Sequence, residues 1–296
     1  MTKEHDLLEG AIDTHIHVGP SLFPRLMNPI EAAKAAKNAR MRGIVFKNHH
    51  LPTVDRALLA NKVVPEVEIY GGIVLNYSVG GLNPFAVDAT LKLGGKIVWM
   101  PTIDSHNHLN HFGELGAFGS GIASGKPKAY RDMEGLTVWN QSGGIDARIG
   151  QILDTVAEAD AAIATSHLSV DESKALLMEA IRRKVRRFMV THAFFVTADL
   201  SLSEQRWMAE RGALLELCYA TLLPNLDSAL ISRIVETLEK VGAENYIISS
   251  DLGQARNSPP TCGLRQFIQL LINKGVSVEE IEMMVKFNPE KLLGLR

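Results

Sequence analysis

Eight short apolar runs recur along the chain, each followed by a polar or glycine-bearing turn and then by a stretch of helical periodicity. The runs are "GAIDTHIHV", "GIVFKN", "VEIYGGIVLN", "GGKIVWMPTID", "ADAAIATSHL", "RRFMVTHA", "GALLELCYA" and "NYIISSDLG". Their length and apolar density predict parallel strands buried on both faces. The intervening stretches carry helix punctuation. "NPIEAAKAAKNARMRG" has Pro29 near its start and Gly43 past its end. "SVDESKALLMEAIRRK" opens with Ser169 and Glu172 three apart, the spacing of a capping box. "LDSALISRIVETLEKVG" and "CGLRQFIQLLINKG" each end at glycine. Strand–helix alternation eight times over predicts an α/β fold, a (β/α)8 TIM barrel, with residues 1–296 as one domain. A doubly wound open sheet would announce a glycine-rich phosphate turn after its first strand, and "HIHVGPSLFP" is not one.

One segment interrupts the rhythm. Residues 105–146 form a long glycine-rich insertion after the fourth strand, placed over the mouth that carries the active site in such barrels. "GLTVWNQSGGI" within it reads as a small hairpin.

Composition changes this picture little. The 296 residues are 46% apolar and 22% charged, with a formal net charge of −2, so nothing in the charge calls for nucleic acid or an anionic membrane as partner. Cys218 and Cys262 lie far apart and outside any CxxC pattern, which fits a reducing cytoplasm. The start "MTKEHDLLEG" has no apolar signal core, and no run approaches the ~20 apolar residues of a membrane span. The expectation is a cytoplasmic protein that meets a small-molecule substrate, with homo-oligomerisation left open.

The chemistry sits at the ends of the runs. Residues two apart on a strand share a face, so His15 and His17 stand side by side at the end of the first strand. Lys47 ends the second strand, Asn76 the third, Asp104 the fourth, His167 the fifth, His192 the sixth and Asp251 the eighth. Each alone has a dull explanation in packing or capping. Four histidines and an aspartate at the C-terminal rim of one barrel form an N- and O-donor set suited to Zn²⁺ and neighbouring divalent ions.

The combination Asp13-x-His15-x-His17, His167, His192 and Asp251 resembles the amidohydrolase superfamily of metal-dependent hydrolases, in an uncharacterised branch. The ending "MMVKFNPEKLLGL" is similar to the "NPAxxLG" close of many members. The resemblance implies that His15, His17 and Asp251 bind one ion, that His167 and His192 bind a second, and that a bridging carboxylated lysine or glutamate comes from the fourth strand. Here the pattern departs, because Lys96 begins that strand. Two substitutes are open: Lys47, carboxylated by CO2, or Asp104 directly. Without a bridge the site holds one ion. Zinc is expected, with manganese, iron and nickel as alternatives.

Such a donor set makes metal-activated water available near neutral pH, with Asp251 as the catalytic proton acceptor. The expected reaction is hydrolysis of an amide, ester, lactone or related bond. A metal-dependent decarboxylase or lyase, a phosphoesterase and a non-catalytic metal-binding barrel are the rivals. His49, His50, Asp104, His106, Asn107, His108 and Gln254 are candidate substrate-binding residues, and Tyr130, Trp139, Arg256 and Asn257 could line the same pocket. His111 crowds His106 and His108, but predicted loop gives no assured alignment. Glu216 on the seventh strand needs a basic partner or a substrate group if it is buried.

Overall fold

In the computed structural model, which describes residues 7–117 and 133–295, the eight expected runs become nine parallel strands. They are β1 (Ile12–His17), β2 (Gly43–Lys47), β3 (Glu68–Tyr70), β4 (Gly72–Val74), β5 (Ile97–Trp99), β6 (Ala162–Ala164), β7 (Arg187–Val190), β8 (Leu214–Cys218) and β9 (Tyr246–Ser249). Hydrogen bonding runs β1–β2–β3 and β4 through β9 in sequence order. The ends of the order meet across the first and last strands. Asp251 N–H donates to His15 O at 2.9 Å and His17 N–H to Leu252 O at 2.7 Å. This closes an α/β barrel, with helices between successive strands except β3 and β4, which one residue joins.

The third run splits for a local reason. Thr53 wedges between β2 and β4: its hydroxyl donates to Phe46 O (2.7 Å), and Gly72 N–H donates to the hydroxyl oxygen (2.9 Å). The ladder therefore passes through a side chain at this point. Gly71 and Gly72 permit the close approach, since a Cβ would lie 2.6 Å from Thr53 backbone at the first and 2.0 Å from Ile97 O at the second.

Inside the barrel, Ile12, Val45, Val74, Ile97, Trp99, Ala162, Ala164, Met189, Leu214 and Ile247 pack with Leu292 and Leu293. Small Ala162 and Ala164 leave room for the fully buried Trp99. The two leucines come from the terminal "NPEKLLGL" helix (Asn288–Leu293), so that ending is a floor for the barrel. Asn288 fixes it by donating from Nδ2 to Ala243 O (2.9 Å) and Tyr246 O (2.6 Å). A larger apolar layer joins the outside of the barrel to its helices.

Helix punctuation follows the sequence with one correction. The first helix (Pro29–Asn38) starts at its proline, with Asn28 as N-cap and Glu31 completing a capping box. Gly43 does not cap it. It begins β2, where a Cβ would meet Glu68 O at 2.8 Å. Ser169 and Glu172 form the expected box at the start of the helix Val170–Arg182. The insertion opens as a short helix, His106–Phe112, capped by Ser105 and closed by left-handed Gly113. Trp139 bridges Ile145 and Asp146 N–H donates to Val138 O (2.9 Å), giving the hairpin turn. Tyr130 lies outside the described residues.

Candidate metal centre

The strand ends gather at one mouth. His15 and His17 point to the same side, their ring centroids 5.2 Å apart. Asp251, just past β9, places Oδ1 3.0 Å from His15 Nε2 and 3.0 Å from His17 Nε2. These three residues have ligand-type atoms within 4.8 Å of one another. His192, after β7, brings its ring to 6.5 Å from His15, and His167, after β6, lies 5.1 Å from His192. His192 (φ 35°) and Asp251 (φ 50°) both hold left-handed backbone, which costs an ordinary residue about 1–3 kcal/mol and concentrates at functional sites.

The residues fit a divalent cation. His15 Nε2, His17 Nδ1 and His192 Nδ1 are buried without a hydrogen-bond partner. Bonds of about 2.0–2.1 Å in tetrahedral geometry put neighbouring donor atoms roughly 3.3 Å apart. The 3.0 Å spacing of His15 Nε2 and Asp251 Oδ1, with no hydrogen bond between them, is close to that edge.

Glu216 on β8 supplies what the donors need behind them. It is fully buried, and His15 Nδ1–H donates to Oε1 (3.1 Å). Ser249 Oγ–H also donates to Oε1 (2.8 Å), and His192 N–H donates to Oε2 (3.1 Å). Burial opposes its ionisation, but the charge and hydrogen bond of the facing His15, with Lys47 and His192 nearby, bring its pKa down to about 2. Because Glu216 accepts from Nδ1–H, a His15 that gives up its second proton to a metal ion does so from Nε2, which then offers the lone pair. A similar relay stands behind His167. His108 Nε2–H donates to Ala117 O (2.7 Å), so its Nδ1 accepts from His167 Nδ1–H (2.9 Å) and His167 Nε2 is left as the lone-pair nitrogen.

Charge is finely opposed here. Burial disfavours a proton on His15, yet Asp251 and Glu216 on either side raise its pKa to about 9. Burial and Arg25 push His17 down to about 3. Desolvation lowers Lys47, whose Nζ lies 5.5 Å from the Trp99 ring centre and whose residue pairs in register with His17. Lys96 packs on Tyr70 instead.

The mouth opens into a cavity of about 720 Å³, lined by His17, Lys47, His49, His167, His192, Asp251 and Gln254, among others. His49 stacks on His17 (4.9 Å), with Nδ1 hydrogen-bonded to Thr102 Oγ1 (2.8 Å). Gln254 braces the Asp251 carbonyl (2.8 Å). Several other candidates turn elsewhere. His50 packs on Phe23. Asp104 Oδ2 accepts from Tyr77 N–H (2.7 Å), as a loop cap does. His106 is exposed and bonds Glu134 O, and Trp139 packs against the outer core. Asn107 ties together the carbonyls of His167 (3.0 Å) and Thr197 (2.8 Å). The cavity also holds residues that strand-end reading does not reach: Arg25, Phe23, Phe112 and Phe195. They lie on connecting segments, and the only sequence signal for Arg25 is a basic residue in the loop after the HxH strand.

This barrel, with its strand-end imidazoles and aspartate, has the fold of the amidohydrolase superfamily. An amidohydrolase from Pseudomonas aeruginosa superposes with a TM-score of 0.63 at 12% identity, over 98% of each chain. An organophosphorus hydrolase from Deinococcus radiodurans gives 0.58 at 11%, over 98% of this chain and 94% of that one. A 2,6-dihydroxybenzoate decarboxylase, solved with 2,6-dihydroxybenzoate, gives 0.51 at 10%, over 97% and 100%. By sequence, residues 10–216 match the family described as "Family of unknown function (DUF6282)", and the chain belongs to it. No curated protein matches the sequence. No helix among the described residues is long and apolar enough to cross a membrane.

Proposed function

We propose that the protein is a metal-dependent hydrolase that attacks an amide, ester, lactone or related bond of a small molecule. One observation carries the reading: His15 Nε2, His17 Nε2 and Asp251 Oδ1 converge within hydrogen-bonding distance at the floor of a roomy cavity, and His15 Nε2 has no hydrogen bond. His15, His17 and Asp251 would hold one divalent ion, zinc first among the alternatives. His167 and His192 would hold a second where Lys47 is carboxylated and bridges. A bound ion supplies an acidified water and a Lewis acid for the oxygen of the scissile bond.

The chain's own part follows from position. Glu216 and His108 hold His15 and His167 in the tautomers that present Nε2. Burial raises the cost of ionising Asp251, but His15 and His17 hold it well below the usual carboxylate range, so it stands ionised with its oxygens available as acceptors. Its side chain keeps one-fifth of its surface open to the cavity, enough to accept a proton from water and return it to a leaving group. A decarboxylase reading draws support from the neighbour that acts on a dihydroxybenzoate, which shares the barrel.

The test is turnover of metal-loaded protein on amide, ester, lactone and aryl-acid panels in ¹⁸O-labelled water. Label in the product with no CO2 released supports hydrolysis. Unlabelled product with CO2 evolution refutes it in favour of decarboxylation.

A further inference from the structure

The segment "VGPSLFPRLMN" joins β1 to the first helix and is stitched at several points. Gly19 N–H donates to Met27 O (2.9 Å), Leu26 N–H to Gly253 O (2.9 Å) and Ala255 N–H to Pro24 O (3.3 Å), while Arg25 bridges Gln254 in antiparallel fashion. Main-chain bonds thus fix Arg25 to the loop that carries Asp251. Its guanidinium stands 5.7 Å from the Phe23 ring centre and lines the cavity. Its Nε is buried without a hydrogen-bond partner, and the side chain makes no ion pair among the described residues.

A withdrawn guanidinium is costly to leave uncompensated, and its planar fork suits a two-oxygen anion. Among the described residues the cavity wall offers no second acid to meet it, and three cations line the space, Arg25, Lys47 and Arg256, against one carboxylate, Asp251. Asp251 Oδ1 is already hydrogen-bonded to His17 and faces His15 at 3.0 Å. Any metal ion bound beneath adds further positive charge. Besides the histidines, Gln254 and Asn257, the wall has an apolar part formed by Phe23, Phe112, Phe195 and Leu223.

We infer that Arg25 is the anchor for a carboxylate on the substrate, whose apolar or aromatic body lies against Phe23, Phe112 and Phe195. The inference deepens the hydrolase reading by naming its substrate class, and it rests on that reading for the use of the cavity. A single interior guanidinium matches a singly charged carboxylate. A phosphate dianion would call for a second cation beside it, but Arg256 is exposed at the rim and Lys47 stands over Trp99 within the strand-end cluster.

The test is calorimetric titration of the full chain with phenylacetate, its neutral isostere phenylacetamide and benzylphosphonate. Wild type, Arg25→Met and Arg25→Lys are compared, with melting curves to verify folding. Phenylacetate is expected to bind about 10- to 100-fold tighter than phenylacetamide, and Arg25→Met to erase that difference while leaving phenylacetamide unchanged. Arg25→Lys restores part of it, since the charge returns without the fork. Phenylacetate affinity within twofold of wild type in Arg25→Met overturns the assignment, as does absence of phenylacetate binding to the wild type. Benzylphosphonate bound more tightly than phenylacetate, and lost with Arg25→Met, overturns the carboxylate in favour of a phosphoryl anion. Because binding is read without turnover, loss of this result leaves the hydrolase proposal standing, and a failure to hydrolyse leaves this one standing.

Discussion

Replacing Glu216 by Gln changes one oxygen to an NH2 group and should disarm the metal centre without touching a ligand. Three donors converge on the native carboxylate: His15 Nδ1–H and Ser249 Oγ–H on Oε1, and His192 N–H on Oε2. Glutamine has one acceptor oxygen, so one side must lose. With its oxygen toward His15, the NH2 group opposes the His192 N–H, donor against donor. With its NH2 toward His15, the imidazole must accept at Nδ1, which puts the proton on Nε2 and removes the lone pair that faces Asp251. A buried donor left unpaired costs about 1–3 kcal/mol. Loss of an outer partner to a ligating histidine typically weakens metal binding about 10- to 100-fold, or roughly 1.4–2.8 kcal/mol. Competition against a chelating zinc indicator, on chains shown to be folded by circular dichroism, reads this directly. Zinc affinity within twofold of wild type would refute the role given to Glu216.

Leu292→Ala opens a hole in the barrel floor, where the side chain is 1% exposed; it should destabilise by about 2–5 kcal/mol in denaturant titration, with little effect on zinc affinity. Gly253→Ala should be worse than an ordinary surface change, because φ is +127° and a Cβ would sit 1.8 Å from His17 O; the thermal midpoint and metal content should both fall. The pH profile of phenylacetate binding separates Arg25 from the histidines. Burial lowers Arg25 to about 10 although Asp251 opposes the shift, so its charge is complete well below pH 10 and is lost only as pH rises through that value. Affinity should be flat from pH 6 to 8, and a steep fall there would assign the anion to an imidazolium.

The barrel was legible because its signal is periodic and local. Each strand needs only a short apolar run, and helix starts such as Ser169 with Glu172 carry a cap that the structure reproduces. Strand-end histidines were legible for the same reason, since fold class alone fixes which end of a strand faces the mouth. What sequence pattern could not supply was long-range pairing. Glu216 and His15 are 201 positions apart, and His108 and His167 are 59 apart, so their hydrogen bonds follow from closure of the barrel. Thr53 splitting the third run, and Gly43 serving strand packing where a helix cap was expected, depend on the approach of neighbouring backbone. Arg25 was missed for a similar reason: a loop side chain has no period, and only its stitching to residues 253–255 aims it inward.

The reading stands or falls on His15, His17 and Asp251 holding a divalent ion, with His167 and His192 beside them for a second. Metal content per chain, measured by plasma mass spectrometry after equilibration with zinc or manganese and removal of free ions, tests it most directly, with and without bicarbonate. At least one tightly held ion is expected, lost in the His15→Ala/His17→Ala double variant, with a second that depends on bicarbonate where Lys47 is carboxylated. A wild-type chain that retains no ion under any of these conditions, or a double variant that retains as many as the wild type, would contradict it.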